Sequence, residues 1–179
     1  FSNSVMMFMF DYQMNKKIEK NADDLPYGFQ TRAIHAGSQP DPITGARNTP
    51  IYQTTAYVFD DVEHAADLFN LQSFGFLYSR LTNPTVSVLE ERLASLENGR
   101  ACVAAASGHA AQFLTFFSLL EPNDEFIAST HLYGGSISQF SNSFRRLGWN
   151  CVFVDATSPE NIAKAITDKT KAIFIEVMA

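Results

Sequence analysis

Residues 101–134 read ACVAAASGHAAQFLTFFSLLEPNDEFIASTHLYG. A short apolar run, Ala101 to Ala106, stops at Ser107-Gly108. A helix-forming stretch follows from Gly108 to Leu120, and a second apolar run, Glu125 to Ser129, stops at Thr130. That succession predicts strand, helix, strand. The alternation continues to the end of the chain. Ser136 to Leu147 carries Ile137, Phe140, Phe144 and Leu147 at helical spacing and is closed by Gly148. Cys151 to Val154 predicts a strand, Ser158 and Pro159 cap and open a helix, and Ala172 to Val177 predicts a last strand. Continuous apolar strands between amphipathic helices indicate an α/β domain, a mostly parallel sheet with helices on both faces.

Upstream of that stretch the punctuation is different. Asn83 and Pro84 predict the start of a helix whose apolar residues Val86, Leu89, Leu93 and Leu96 recur at helical spacing, with Gly99 as its C-terminal cap. Phe74 to Thr82 reads as a loop. A shorter helix is predicted near Val62 to Asn70, capped by Asp60 or Asp61. Residues 21–57 hold Pro26, Pro40, Pro42, Pro50, Gly28, Gly37 and Gly45, which predicts an extended arm with turns, consecutive ones over Pro40 to Gly45. The expected organisation is a tail over 1–20, an arm with one short helix over 21–83, and an α/β domain over 84–179. Phe1 to Gln13 is expected to lie outside the fold, and Met14 reads as a start. A buried strand with neither turn nor helix after it reads as an interrupted domain, so the chain is expected to be the front part of something longer.

Composition narrows the function classes. The 179 residues are 46% hydrophobic and 18% charged, which describes a globular chain and not a disordered one. Thirteen Lys and Arg against nineteen Asp and Glu give a net charge of -6, a poor balance for non-specific nucleic-acid binding. No apolar run approaches the ~18 residues of a membrane-spanning helix. Cys102 and Cys151 sit in apolar runs without CxxC spacing or nearby His, which fits buried thiols of a reduced cytoplasmic protein better than a disulfide or a zinc site.

Ligands of open α/β sheets bind at the carboxyl ends of the strands. After the first predicted strand, Ser107-Gly108-His109-Ala110-Ala111 opens a helix directly. The amides of a helix's first turn are unpaired and favour an anion there, and Gly108 admits close approach; a plain strand-to-helix turn is the alternative. No GxGxxG or GxxxxGK[ST] is present. After the second strand, Tyr133 precedes Gly134 and Gly135, which leaves room for a flat ligand above the ring; a Tyr beside a flexible loop reads as well. Glu176 interrupts the last apolar run: buried, it must be paired, and exposed, it needs no explanation. In the loop before the sheet, Tyr78 and Arg80 are two residues apart, which in extended backbone points both the same way, able to grip one phosphate. A solvated surface Arg is the plainer alternative.

The order of these segments is more specific than any one of them. Tyr78-Ser79-Arg80-x-x-Asn83-Pro84-Thr85, then Ser107-Gly108-x-Ala110-Ala111, then Leu132-Tyr133-Gly134-Gly135 resembles the Cys/Met-metabolism family of pyridoxal-phosphate enzymes. Ile34-His35-Ala36-Gly37, Pro40-Asp41-Pro42-x-Thr44-Gly45-Ala46-Arg47 and Pro50-Ile51-Tyr52-Gln53-Thr54-Thr55 are similar to its O-acetylhomoserine sulfhydrylase branch. The resemblance runs from about Gly28 to Glu176 and covers less than half of a family enzyme.

The resemblance implies the type I pyridoxal-phosphate-dependent transferase fold, with 84–179 as an incomplete cofactor-binding domain. It implies γ-replacement on O-acetylhomoserine by sulfide to give homocysteine, a step of methionine biosynthesis. A methionine γ-lyase or a cystathionine-forming enzyme shares the same motifs. The cofactor phosphate would be held at Ser107, Gly108 and His109, where the family usually has Met or Gln in place of His109. Tyr133 would stack on the pyridine ring and act as the catalytic tyrosine. Tyr78 and Arg80 would reach the phosphate of a neighbouring subunit, in a homodimer or tetramer with shared active sites. The Schiff-base lysine, the aspartate partner of the pyridine nitrogen and the substrate-carboxylate arginine would lie beyond Ala179. None of the six lysines, Lys16, Lys17, Lys20, Lys164, Lys169 and Lys171, matches the catalytic context, so the chain by itself is expected to turn nothing over. A non-catalytic fragment that pairs through its last strand's edge is the reading from another class.

Overall fold

The computed structural model describes residues 27–177. They form two compact units, residues 27–104 and residues 105–177.

In the first unit, α1 (Phe29–His35) interrupts the arm expected to be extended throughout. The eight residues between Gly28 and Gly37 hold no proline, so nothing prevents a short helix there, and Arg32 fastens it to the end of a later helix through the carbonyl of Ser95 and the Asn98 side chain. Asp41 organises the predicted turns: its Oδ1 accepts from the Ile43 and Thr44 amides and the Thr44 hydroxyl, and Gly45 takes a φ of +70°. Helix α2 (Val62–Phe69) starts at Asp61, whose carboxylate accepts from the His64 amide. Helix α3 (Pro84–Leu96) starts as its sequence predicts, with Asn83 Oδ1 accepting from the Thr85 and Val86 amides.

The end of α3 corrects the prediction that Gly99 is its cap. Asn98 takes the left-handed conformation (φ +54°), and Gly99 donates its amide back to the Ala94 carbonyl. Asparagine tolerates that region better than other side-chain-bearing residues, so the chain reverses one residue before the glycine. Gly37, at φ +72°, packs against α3 so closely that a Cβ would lie 2.8 Å from the Val88 carbonyl oxygen.

The second unit is a three-stranded parallel sheet with helices. In chain order it contains α4 (Gly108–Leu119), β1 (Glu125–Ser129), α5 (Gly134–Ser138), β2 (Asn150–Val154), α6 (Pro159–Ala165) and β3 (Thr170–Phe174). The strand order is β2-β1-β3, all parallel, with Ile127 opposite Val152 on one side and Ile173 on the other. Central β1 is buried on both faces from Phe126 to Ser129, as its unbroken apolar run requires.

Three expectations are corrected here. Ala101 to Ala106 is not a strand. Among the described residues the sheet consists of β2, β1 and β3 alone, and residues 101–106 form no ladder. The helix expected over Ser136 to Leu147 begins two residues earlier and changes winding: α5 passes into a π-helical turn, Gln139–Ser143, and then a 3₁₀ turn, Phe144–Leu147. The winding keeps Phe140 and Phe144 in the core, each 1% exposed, but turns Leu147 outward; Gly148, at φ +80°, closes the segment as predicted. The last strand lies two to three residues earlier than Ala172 to Val177, because β1 offers partners only up to Ala128 opposite Phe174. Glu176 therefore follows the strand instead of lying in it.

The core of this unit is aromatic. Phe140 stands 5.1 Å from Phe126, 5.2 Å from Phe144 and 5.1 Å from Phe174 between ring centroids, and Phe116 stands 4.2 Å from Phe126. These rings join α4, the π-helical and 3₁₀ turns that follow α5, and two strands. Cys102 and Cys151 are free thiols and half-buried rather than buried.

Candidate functional site

Parallel strands bring their carboxyl ends to one edge. The loop after β1 delivers His131, Leu132 and Tyr133, and the segment after β3 delivers Ile175 and Glu176. Helix α4 starts at the same place, because the His109 and Tyr133 rings lie 6.0 Å apart between centroids and are inclined by 33°.

At the start of α4, the Ser107 hydroxyl oxygen accepts from the Ala110 amide at 3.1 Å. Its carbonyl accepts from the Ala111 amide. The amides of Gly108 and His109 have no acceptor among the described residues. Two unpaired amides at the positive end of a 12-residue helix are suited to an anion. Ser107 thus caps the helix through its side chain, and the two residues after it carry the free donors.

Tyr133 is 66% exposed, and its ring is left open to a flat ligand. Its position is set by three neighbours. A Cβ on Gly135 would fall 2.5 Å from Tyr133 Cε1 and 2.7 Å from His109 Cε1, so only glycine lets both rings settle there. Gly134 has open space around it, so of the two glycines only Gly135 is sterically tied to the ring. The third neighbour is Glu176, whose Oε2 accepts from the Tyr133 amide at 2.9 Å. Its Oε1 accepts from the Ser136 hydroxyl at 3.3 Å, and the Ser136 oxygen accepts from Gln112 Nε2 at 2.9 Å. Sequence reasoning left Glu176 undecided and passed over Gln112 and Ser136. A carboxylate at the end of an apolar run was the only signal for any of them.

The same edge holds Asp155, which follows β2. The Thr157 hydroxyl and amide both donate to it and hold its carboxyl below the usual aspartate range, with His131 4.0 Å away as a further contributor. The lysines among the described residues lie elsewhere. Lys169 and Lys171 are at the amino end of β3, and Lys171 faces Asp124 at 4.0 Å. Lys164 is in the last turn of α6.

In the first unit, Tyr78 and Arg80 do not extend side by side. The chain turns at Tyr78, whose carbonyl accepts from the Leu81 and Thr82 amides, which corrects the extended geometry expected for this pair. The guanidinium still comes to lie over the Tyr78 ring, 5.1 Å from its centroid. The loop is fixed at its base by buried Asn83, whose Nδ2 donates to the Tyr52 carbonyl at 3.0 Å and to the Ser79 hydroxyl at 3.0 Å.

Two free amides at a helix start, an open aromatic ring beside them and a glycine that a Cβ would close off together suit a planar, phosphate-bearing cofactor. The class is that of the solved structures the chain superposes on, a pyridoxal-phosphate-dependent enzyme fold, which this arrangement fits. The particular family follows from comparison. Residues 30–179 match the Cys/Met metabolism PLP-dependent enzyme family, and the chain belongs to it.

A Leptospira meyeri O-acetyl-L-homoserine sulfhydrylase is 46% identical over 160 residues, 88% of this chain and 36% of that protein. A solved Campylobacter jejuni chain, described as an O-acetylhomoserine (thiol)-lyase and carrying a pyridoxyl-lysine monophosphate, superposes with a TM-score of 0.78. It is 37% identical, over 83% of this chain and 36% of that one. A Lactobacillus plantarum cystathionine gamma-lyase superposes with a TM-score of 0.73 at 32% identity, over 83% of this chain and 36% of its own. The chain spans about a third of the length of the curated relatives it matches. Among the described residues no helix is long and apolar enough to cross a membrane.

Proposed function

We propose that the complete enzyme replaces the acetyl group of O-acetylhomoserine by sulfide and releases homocysteine. The observation that carries the reading is the edge formed by the Gly108 and His109 amides and the Tyr133 ring, on a chain 46% identical to an O-acetyl-L-homoserine sulfhydrylase. When bound, pyridoxal phosphate supplies the electron sink that makes bonds of the amino-acid substrate labile. The chain's own part is to hold and orient it. Gly108 and His109 donate two amides to the phosphate, and the α4 dipole adds to their pull. Tyr133 would cover one face of the ring and exclude water from it, and its hydroxyl would be the catalytic group. Ser107 acts by capping α4 and so fixing the direction of those amides.

Tyr78 and Arg80 donate to the phosphate in a neighbouring subunit's site, in a cytoplasmic homotetramer. Residues 84–179 then serve as the leading part of the cofactor-binding domain and residues 21–83 as the arm that reaches the neighbour. A γ-lyase or cystathionine-forming activity is the second reading, favoured by the superposition on a cystathionine gamma-lyase. The holoenzyme is to be assayed with O-acetylhomoserine plus sulfide, with methionine alone and with cysteine in place of sulfide. Homocysteine production fastest with sulfide supports the first reading. Dominant methionine breakdown or cystathionine formation transfers the enzyme to the second.

A further inference from the structure

We infer that Glu176 is a positioning residue for the cofactor ring, acting through Tyr133 and tied by Ser136 to Gln112 of the phosphate-binding helix. The inference rests on the proposed stacking of Tyr133. Tyr133 is mostly exposed, so packing alone does not hold its ring. Its backbone is held on two sides: the carbonyl accepts from the Ser136 and Ile137 amides, and the amide donates to Glu176 Oε2 at 2.9 Å. A carboxylate acceptor makes that bond stronger than a neutral one would be.

The other oxygen has a different task. Oε1 accepts from Ser136, which is 1% exposed, and the Ser136 oxygen accepts from Gln112, 2% exposed and one turn into α4 from Gly108. The chain of bonds therefore ties the end of β3, the Tyr133 loop and the helix that presents the free amides. Those are the supports for the two parts of a flat, phosphate-bearing ligand, its ring and its anion. A shift of Glu176 moves the ring support relative to the anion support, because one of its oxygens holds the Tyr133 amide and the other the Ser136 hydroxyl that binds Gln112. Gln112 Oε1 is buried without a partner among the described residues, so that side chain is oriented by its one bond to Ser136 and not by competing bonds.

The test uses the holoenzyme with pyridoxal phosphate as probe. Three quantities are read in Glu176→Ala, Glu176→Gln and Tyr133→Ala: cofactor dissociation constant, induced circular dichroism of the bound ring, and hydrogen exchange of the Tyr133 amide in the cofactor-free protein. Glu176→Ala should weaken retention about tenfold, the loss expected of one charge-assisted hydrogen bond, lower the induced signal and expose the Tyr133 amide. Glu176→Gln keeps an acceptor oxygen and should recover most of all three. A general loss of stability would not change the induced signal per bound cofactor, so that readout separates positioning from support of the fold. Unchanged signal and unchanged Tyr133 exchange in Glu176→Ala would overturn the inference. So would a Glu176→Gln protein that fails to fold, since the carboxylate would then serve the fold. If Tyr133→Ala leaves retention and signal intact, the stacking reading fails; if it abolishes both while Glu176→Ala does not, only the role of Glu176 fails.

Discussion

Gly135→Ala separates the geometry of the site from the stability of the fold. The added Cβ would sit 2.5 Å from Tyr133 Cε1, 2.7 Å from His109 Cε1 and 2.9 Å from His109 Nε2, all well inside van der Waals contact. The backbone is not the obstacle, because Gly135 lies in α5 and has no positive φ. Alanine in a helix is favoured over glycine by up to about 1 kcal/mol, while forcing an extra methyl into a filled space costs about 1–3 kcal/mol. The obstructing atoms are ring edges of exposed side chains, which swing away, so the net change in stability should be at the low end, within about 1 kcal/mol of zero. The rings swing out of the place where the cofactor would lie, and cofactor retention should fall while the melting temperature hardly moves. Gly134→Ala, with open space around it, is the matched control and should leave retention unchanged. Adding His109→Ala to Gly135→Ala removes one of the two clashes and should restore part of the retention. Spectrophotometric titration with pyridoxal phosphate, alongside thermal melting, reads all four proteins. If Gly135→Ala retains cofactor as well as Gly134→Ala does, the contact of Gly135 with the two rings is not what places Tyr133.

Arg80→Ala should weaken cofactor retention. When it is mixed with a catalytically dead subunit whose Arg80 is intact, hybrid assemblies should regain part of the activity, and no recovery in proven hybrids would refute a shared site. Phe140→Ala should cost about 3–5 kcal/mol, measurable by denaturant unfolding, because a ring 1% exposed and in contact with Phe126, Phe144 and Phe174 leaves a cavity among groups too large to close it. Burial pushes the Cys151 thiol up to about 12. Between the unfolded value near 9 and that figure the folded state holds a proton the unfolded state has lost, so stability should fall as pH rises through that window. At pH 8, mass spectrometry should find Cys151 alkylated by iodoacetamide only under unfolding conditions.

What the sequence made legible was whatever depends on neighbours a few residues away. Asn83 with Pro84, and Asp61 before Val62, announce helix starts because a cap and its amides are local. Central β1 was legible end to end, because burial on both faces leaves an unbroken apolar run. The failures over residues 101–106 and at β3 turn on something at a distance. Ala101 to Ala106 has the composition of a strand, but strands are made by partners, and composition does not say whether the chain brings one alongside. The bounds of β3 were set by where β1 ran out of partners. At the end of α3, Asn98 and Gly99 compete for one left-handed position, and the local signal alone ranks glycine first.

The site divides along the same line. Free amides at Gly108 and His109 follow from the start of a helix, so their chemistry was readable from residues 107–111 alone. Glu176 stands 43 positions from the amide it binds, and its alternatives, paired or merely solvated, are indistinguishable until the topology brings β1 and β3 side by side. Parallel pairing does that by necessity, since it delivers both strand ends to one edge. A polar residue just past the end of one apolar strand is thus placed to act on the loop that follows its neighbour. In this chain Tyr133 lies in a loop, and the carboxylate that binds its amide stands just past the end of the neighbouring strand, on the other side of a crossover.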